Sequence, residues 1–215
     1  MNAIFARLMP IVFCMMVCLP AGAQAPAAPP ETLAGLTPGR VLLADAVRVL
    51  GGYDAAVPGS MSYFSGGEAL SRAYRWAPGD IGPYRGVTVE TGYRDARVNL
   101  IMVDSYPGLG TGRGLTTLVG DDVAVRLYGL PDFAFEWQIG YARYRELFYL
   151  DAGVHLVLSQ ITGRPNWTIT RLILTYPAYL RNGVSWRVEM VRRGARVEDI
   201  TAGYRVWARL AIPPE

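Results

Sequence analysis

The chain carries one histidine, His155, so any chemistry that needs paired imidazoles is closed to it. A lone histidine cannot complete a histidine-based zinc site without cysteine help. Both cysteines, Cys14 and Cys18, fall in an apolar N-terminal stretch, away from the rest of the chain. No nucleophile motif accompanies His155, and a Ser-His-Asp arrangement would need partners that spacing does not locate. Carboxylates are scattered singly, apart from Asp121-Asp122 and Glu198-Asp199. Both pairs stand where helices are expected to start, where acidic side chains meet unpaired N–H groups and the positive end of the helix dipole. Glu90, Asp104 and Asp151 are the carboxylates available to a glycan-cleaving reaction, which would require two of them in one cleft.

Two further motifs read as structure. Gly108-Leu-Gly-Thr-Gly-Arg-Gly114 superficially resembles a phosphate loop, but Arg113 stands where Gly-x-Gly-x-x-Gly needs glycine and no Gly-Lys-Ser/Thr follows. It is expected to be a joint between two units. Asn166-Trp167-Thr168 matches a glycosylation sequon by chance. No cofactor or metal site is expected, and no calcium-loop pattern is present.

Arginine alternates with aromatics in Tyr74-Arg75-Trp76, Tyr84-Arg85 and Arg143-Tyr144-Arg145. Strand neighbours point to opposite faces, so such runs can show arginines on one face while the aromatics pack. Tyr, Trp and Arg are the residues enriched at interfaces. Arg75, Arg85, Arg143 and Arg145 are therefore the candidate interface residues, against the plainer reading of ordinary amphipathic strands.

The elements that must position these residues follow a leader. Arg7, the apolar run Leu8–Leu19 and the small residues before Ala23 have the three parts of a secretory signal, with cleavage expected at Ala23|Gln24. The apolar run is shorter than the roughly 20 residues a membrane span needs. Phe13 and Val17 before the cysteines do not suit a lipobox. The mature chain then has no disulfide and is expected to be periplasmic, with no membrane span. All 21 basic residues are arginine, and the formal charge of +3 falls by one when Arg7 leaves with the leader. So mild a balance, together with export, argues against nucleic acid.

An internal repeat organises the rest. Gly35-Leu-Thr and Gly114-Leu-Thr each open a stretch that runs through a short helix, strand-like segments and a closing Tyr-Pro, at Tyr106-Pro107 and Tyr176-Pro177. The expected organisation is a signal peptide (1–23), a flexible linker (24–34), a first unit (35–108), a second unit (109–178) and a C-terminal strand and closing helix (179–215). The fold class is α+β, each unit being one short helix plus a three-stranded antiparallel meander. The strands are placed at 71–76, 87–91 and 97–104, then 143–150, 154–160 and 169–176. Val184, Trp186, Val188 and Met190 alternate like a strand. Val197, Ile200, Tyr204, Trp207 and Ala211 follow helical spacing, with Trp207 expected to be buried.

A helix closed by Tyr128-Gly129-x-Pro131-Asp132 and followed by antiparallel strands resembles the SmpA/OmlA envelope-assembly lipoproteins and, in fold, the β-lactamase inhibitor proteins. Gly120, Val123 and Leu127 also carry the likeness, with fainter echoes at Gly39, Val47, Leu50, Gly51 and Asp54. The resemblance implies helices on one face of an antiparallel sheet and a role in binding proteins. It transfers no binding residue. The expected function is a non-catalytic periplasmic protein that binds envelope proteins or assists envelope assembly. The alternatives are a cell-wall or glycan hydrolase, or an inhibitor of a secreted hydrolase.

Overall fold

The computed structural model describes residues 30–59, 71–76, 86–92, 95–161 and 166–212; the expected signal peptide and Arg85 lie outside them. Nine described strands form one antiparallel sheet: β1 Ala55–Pro58, β2 Ser71–Trp76, β3 Val87–Gly92, β4 Val98–Asp104, β5 Phe133–Ile139, β6 Ala142–Tyr149, β7 Val154–Ile161, β8 Thr168–Thr175 and β9 Val197–Asp199. Their order is β1-β2-β3-β4-β8-β7-β6-β5-β9. The helices are α1 Leu43–Leu50, α2 Asp121–Tyr128, α3 Pro177–Arg192 and α4 Thr201–Ala211. The α+β class and the antiparallel sheet are as expected. No helix among the described residues is long and apolar enough to cross a membrane.

The central strands run almost wholly apolar because both faces of the sheet are covered. On the first face α1, α2 and α4 pack through Ala46, Leu50, Ala124, Val125, Tyr204 and Ala208 onto Val89, Ile101, Leu147, Leu156 and Leu172. On the second face α3 packs through Leu180 and Val184 onto Leu100, Phe135, Phe148 and Ile173. The implied arrangement, with all helices on one face, therefore fails for α3. The two helix-and-strand segments meet where β4 pairs with β8, placing Met102 opposite Ile173 and Asp104 opposite Arg171. Each segment has one register shift, at Glu90/Thr91 and at Val157/Leu158.

Gly51 and Gly129 end α1 and α2 at φ of 84° and 77°, a left-handed region that glycine enters without Cβ strain. Their N–H groups donate to Val47 and Val125 carbonyls at 2.9 and 2.8 Å. Asp54 N–H donates to Arg75 O and Asp132 N–H donates to Phe148 O, both at 2.8 Å.

Three expectations need correction. Each short helix is followed by four strands, because β1 and β5 add to the three expected. β1 is four residues, mostly exposed, and too short for its alternation to register. The expected strand over 184–190 is the C-terminal half of α3. Its buried residues Leu180, Gly183, Val184 and Arg187 follow helical spacing, and a buried arginine at an inward position disguised that period. Finally, Trp207 is 44 % exposed, not buried. The chain is extended at Val197–Asp199, where it pairs with β5, and the helix begins only at Thr201, so the inward residues are Tyr204 and Ala208. Leu33 and Glu31, placed in the flexible linker, are buried; Leu33 belongs to the first-face core.

Candidate functional site

The sixteen residues of α3 span about 24 Å, and cover one end of the second face only. Beyond that end a cleft of about 740 Å³ opens over the β4–β8 junction. Strand alternation decides what reaches it. Leu100, Met102 and Asp104 point there from β4, Arg171 and Ile173 from β8, His155 and Val157 from β7, Tyr144 and Glu146 from β6, and Trp137 and Ile139 from β5. Glu90 of β3 joins them, and α3 contributes Trp186 and Arg187. Aromatic walls and an aliphatic floor with a few polar groups are the usual make-up of a ligand pocket, and the volume lies within that range.

The floor holds a buried charge cluster. Arg187 donates from Nε to Glu146 Oε2 at 2.5 Å and from Nη2 to Oε1 at 2.6 Å. This two-pronged pairing matches the planar guanidinium to the carboxylate. The Arg187 guanidinium also lies 5.0 Å over the Trp137 ring. His155 Nε2 stands 3.4 Å from Glu146 Oε1, and the imidazole stacks on Phe148 with ring centres 4.1 Å apart. Burial by itself would raise the Glu146 pKa, but His155 and Arg187 outweigh it and hold the carboxyl at about 2. Glu146 is therefore an ionised acceptor, not a proton donor, at neutral pH. His155 Nδ1 has no hydrogen-bond partner among the described residues, and the residue is 1 % exposed. At the cleft's edge Arg171 Nε donates to Asp104 Oδ1 at 2.5 Å.

A second cluster lies on the opposite face of the same strand. Arg145 donates to Asp121 Oδ2 at 3.0 Å and to Glu136 Oε2 at 3.1 Å. Its guanidinium sits 4.1 Å from the Trp167 ring and 5.2 Å from that of Tyr204. The Tyr204 hydroxyl donates to Asp121 at 3.1 Å; burial and the Asp121 charge push its pKa well up. Arg145 thus clamps α2 and α4 to β6.

The candidate interface arginines are not brought to one patch. Arg143 and Arg145 share a face of β6 beside Trp167, with Arg143 exposed and Arg145 enclosed by its ion pairs. Arg75 is exposed on β2, five strand positions from β6 in the sheet order, or about 24 Å at the usual strand spacing. It points to the opposite face, since Tyr74 and Trp76 on either side belong to the first-face core. Of the carboxylates named for hydrolysis, Glu90 and Asp104 both line the cleft, whereas Asp151 is an exposed turn residue facing Arg181 at 3.8 Å. Among the described residues no group of three His, Cys, Asp or Glu side chains is placed to hold a metal.

Glu146 and Arg187 were missed in the sequence. A signal existed for Glu146: it stands between Tyr144 and Phe148 on an inward-facing register. Arg187 was hidden inside a segment read as a strand. Comparison with known proteins adds no relative: no family model, no curated protein and no solved structure matches the chain.

Proposed function

We propose that this chain is an exported, non-catalytic binding protein of the bacterial envelope, and that the cleft between α3 and the sheet is where it seats its ligand or a partner's side chain. The observation that carries this is the open, aromatic-walled cleft over the β4–β8 junction, on a sheet whose other face is closed by three helices. The polar groups favour binding over turnover. Glu146 is occupied by Arg187 and Asp104 by Arg171, so neither stands as a free acid or base. The leader read from Arg7 to Ala23 supports the compartment.

The test has two parts. Fractionation of expressing cells, with mass measurement of the mature chain, is expected to find it in the periplasm beginning at Gln24. Native mass spectrometry of the gently purified protein is expected to show a bound species that is lost in Met102→Trp, a substitution that fills the cleft floor. A chain retained in the cytoplasm, or bound species unaffected by the filled cleft, defeats the reading.

A second reading, glycan hydrolysis, draws on one observation: Glu90 and Asp104 reach the same cleft. Turnover of a cell-wall glycan by the pure protein, abolished by Glu90→Gln, would replace binding with catalysis.

A further inference from the structure

We infer that the ligand of this cleft is an uncharged small molecule made mainly of hydrocarbon. The inference rests on the cleft being a ligand seat and adds the chemical class of what it seats. A concavity of about 740 Å³ takes a small molecule whole. Three observations carry the class.

The first is the floor. Met102 of β4 and Val157 of β7 stand mid-sheet on the second face, yet both stay half-buried where α3 stops short. Their chain neighbours on the first face, Ile101 and Leu156, are fully buried. Covering such apolar surface is favourable in proportion to its area, and an apolar body is what covers it without losing hydrogen bonds of its own. The second is the mouth. Ile139 is 66 % exposed, Trp186 is exposed as well, and both line the cleft. Large apolar side chains gathered in the open around a concavity mark a surface that something covers. The third is charge. The carboxylates of the cleft are engaged within the chain: Glu146 takes two bonds from Arg187, Asp104 pairs with Arg171, and Glu90 has an interaction of its own. The Arg187 guanidinium occupies the Trp137 ring. Both ring nitrogens of His155 are sealed from solvent, so the imidazole, neutral or charged, offers neither to a ligand. An ion entering the cleft would shed water beside charges that are already paired. A neutral molecule avoids that cost.

The test uses N-phenyl-1-naphthylamine, an uncharged aromatic probe whose fluorescence rises in apolar surroundings. The probe is expected to bind the purified full chain. It is then displaced at neutral pH by three competitors that share one chain: 1-decanol, decanoate and decylamine. The alcohol is expected to displace it at a concentration about tenfold below that needed by either ion, a margin that part of an ion's desolvation cost suffices to give. Met102→Trp fills the floor and is expected to abolish probe binding. Ile139→Ser, at the exposed mouth, guards against loss of folding in the first variant and is expected to weaken the probe several-fold.

Decanoate or decylamine competing as well as the alcohol overturns the uncharged class while leaving the cleft a ligand seat. The same holds if the probe fails to bind, or binds unchanged in both variants, but the species seen by native mass spectrometry is still lost in Met102→Trp. Without that species, either result removes both inferences.

Discussion

Arg145 and Glu146 are neighbours on β6, and each anchors a buried ion pair on its own face of the sheet. Arg145 is enclosed by Asp121, Glu136, Trp167 and Tyr204, and the pair fastens two helices. Glu146 is held by Arg187 of α3, with an open cleft and the His155 imidazole beside it. The same strand chemistry thus gives a sealed joint on one face and a lined opening on the other. The difference comes from coverage. Among the described residues, three helices and the Leu33 and Leu115 loops close the first face, while α3 is the one helix on the second. A buried charge pair does not by itself mark a site. It does so here where the burial stops short and the pair lines an open cleft.

The largest effect that bears on this comparison is expected at Arg187. Arg187→Met leaves Glu146 ionised in a site 2 % exposed. Stranding a buried charge costs about 3–5 kcal/mol. Replacing both partners, Glu146→Leu with Arg187→Met, is expected to recover most of that, because well-packed apolar groups often substitute for a buried pair at little cost. Urea unfolding of the single and double variants checks this. A double variant as unstable as the single would show that the cluster itself, not the stranded charge, holds α3 down.

Acid tests the same pair without mutation. The Glu146 pKa is lowered from 4.5 in the unfolded chain to about 2 in the folded one. A depressed folded pKa means that the unfolded state binds the proton more readily. The contribution of Glu146 is therefore fully present above pH 4.5 and is lost as the pH falls toward 2. At about 1.4 kcal/mol per unit this is a few kcal/mol. The wild-type Tm is expected to fall more steeply over that window than the Tm of the Leu/Met double variant. Parallel curves would mean that other carboxylates carry the acid sensitivity.

On the sealed face the expected loss is smaller. Arg145→Met removes charge-assisted bonds to Asp121 and Glu136, whose carboxylates keep some contact with water. About 2 kcal/mol is expected, with no change in ligand binding at the cleft. Loss of cleft binding in this variant, with the fold intact, would join the two faces in one function.

Much of the sheet was legible because its period-2 signal is strong: Ser71–Trp76 begins and ends where expected, and the other five expected strands agree to within a residue or two. The helix ends were legible from Gly51, Gly129 and Pro131, whose backbone preferences act locally. The site was legible only in part. His155 stood out by being alone, and Glu90 and Asp104 were named singly. What joins them is the β4–β8 pairing and the crossing of α3 over the second face, both contacts between residues distant in sequence. Arg187 illustrates why such a residue is missed. On a helix face it reads as a break in the apolar stripe, and only the Glu146 carboxylate makes the position inward.

The smallest effect is expected on α4, where the two faces of one helix can be compared directly. Tyr204 is 4 % exposed and hydrogen-bonded to Asp121, whereas Trp207, three residues on, is 44 % exposed and touches Tyr204 with ring centres 5.3 Å apart. Tyr204→Phe keeps the ring and removes one buried hydrogen bond to a carboxylate, which is expected to cost about 1–2 kcal/mol. Trp207→Ala removes a larger side chain, yet about half of it is already in water, so the lost burial is modest. Less than about 1 kcal/mol is expected, well below the 3–5 kcal/mol of a fully buried aromatic. Thermal unfolding of the two variants ranks them. A Trp207→Ala loss above that of Tyr204→Phe would mean that the outer stripe of Val206, Trp207 and Leu210 is covered in solution by something beyond the folded chain. Concentration-dependent Tm in the wild type would then identify that cover as a second copy.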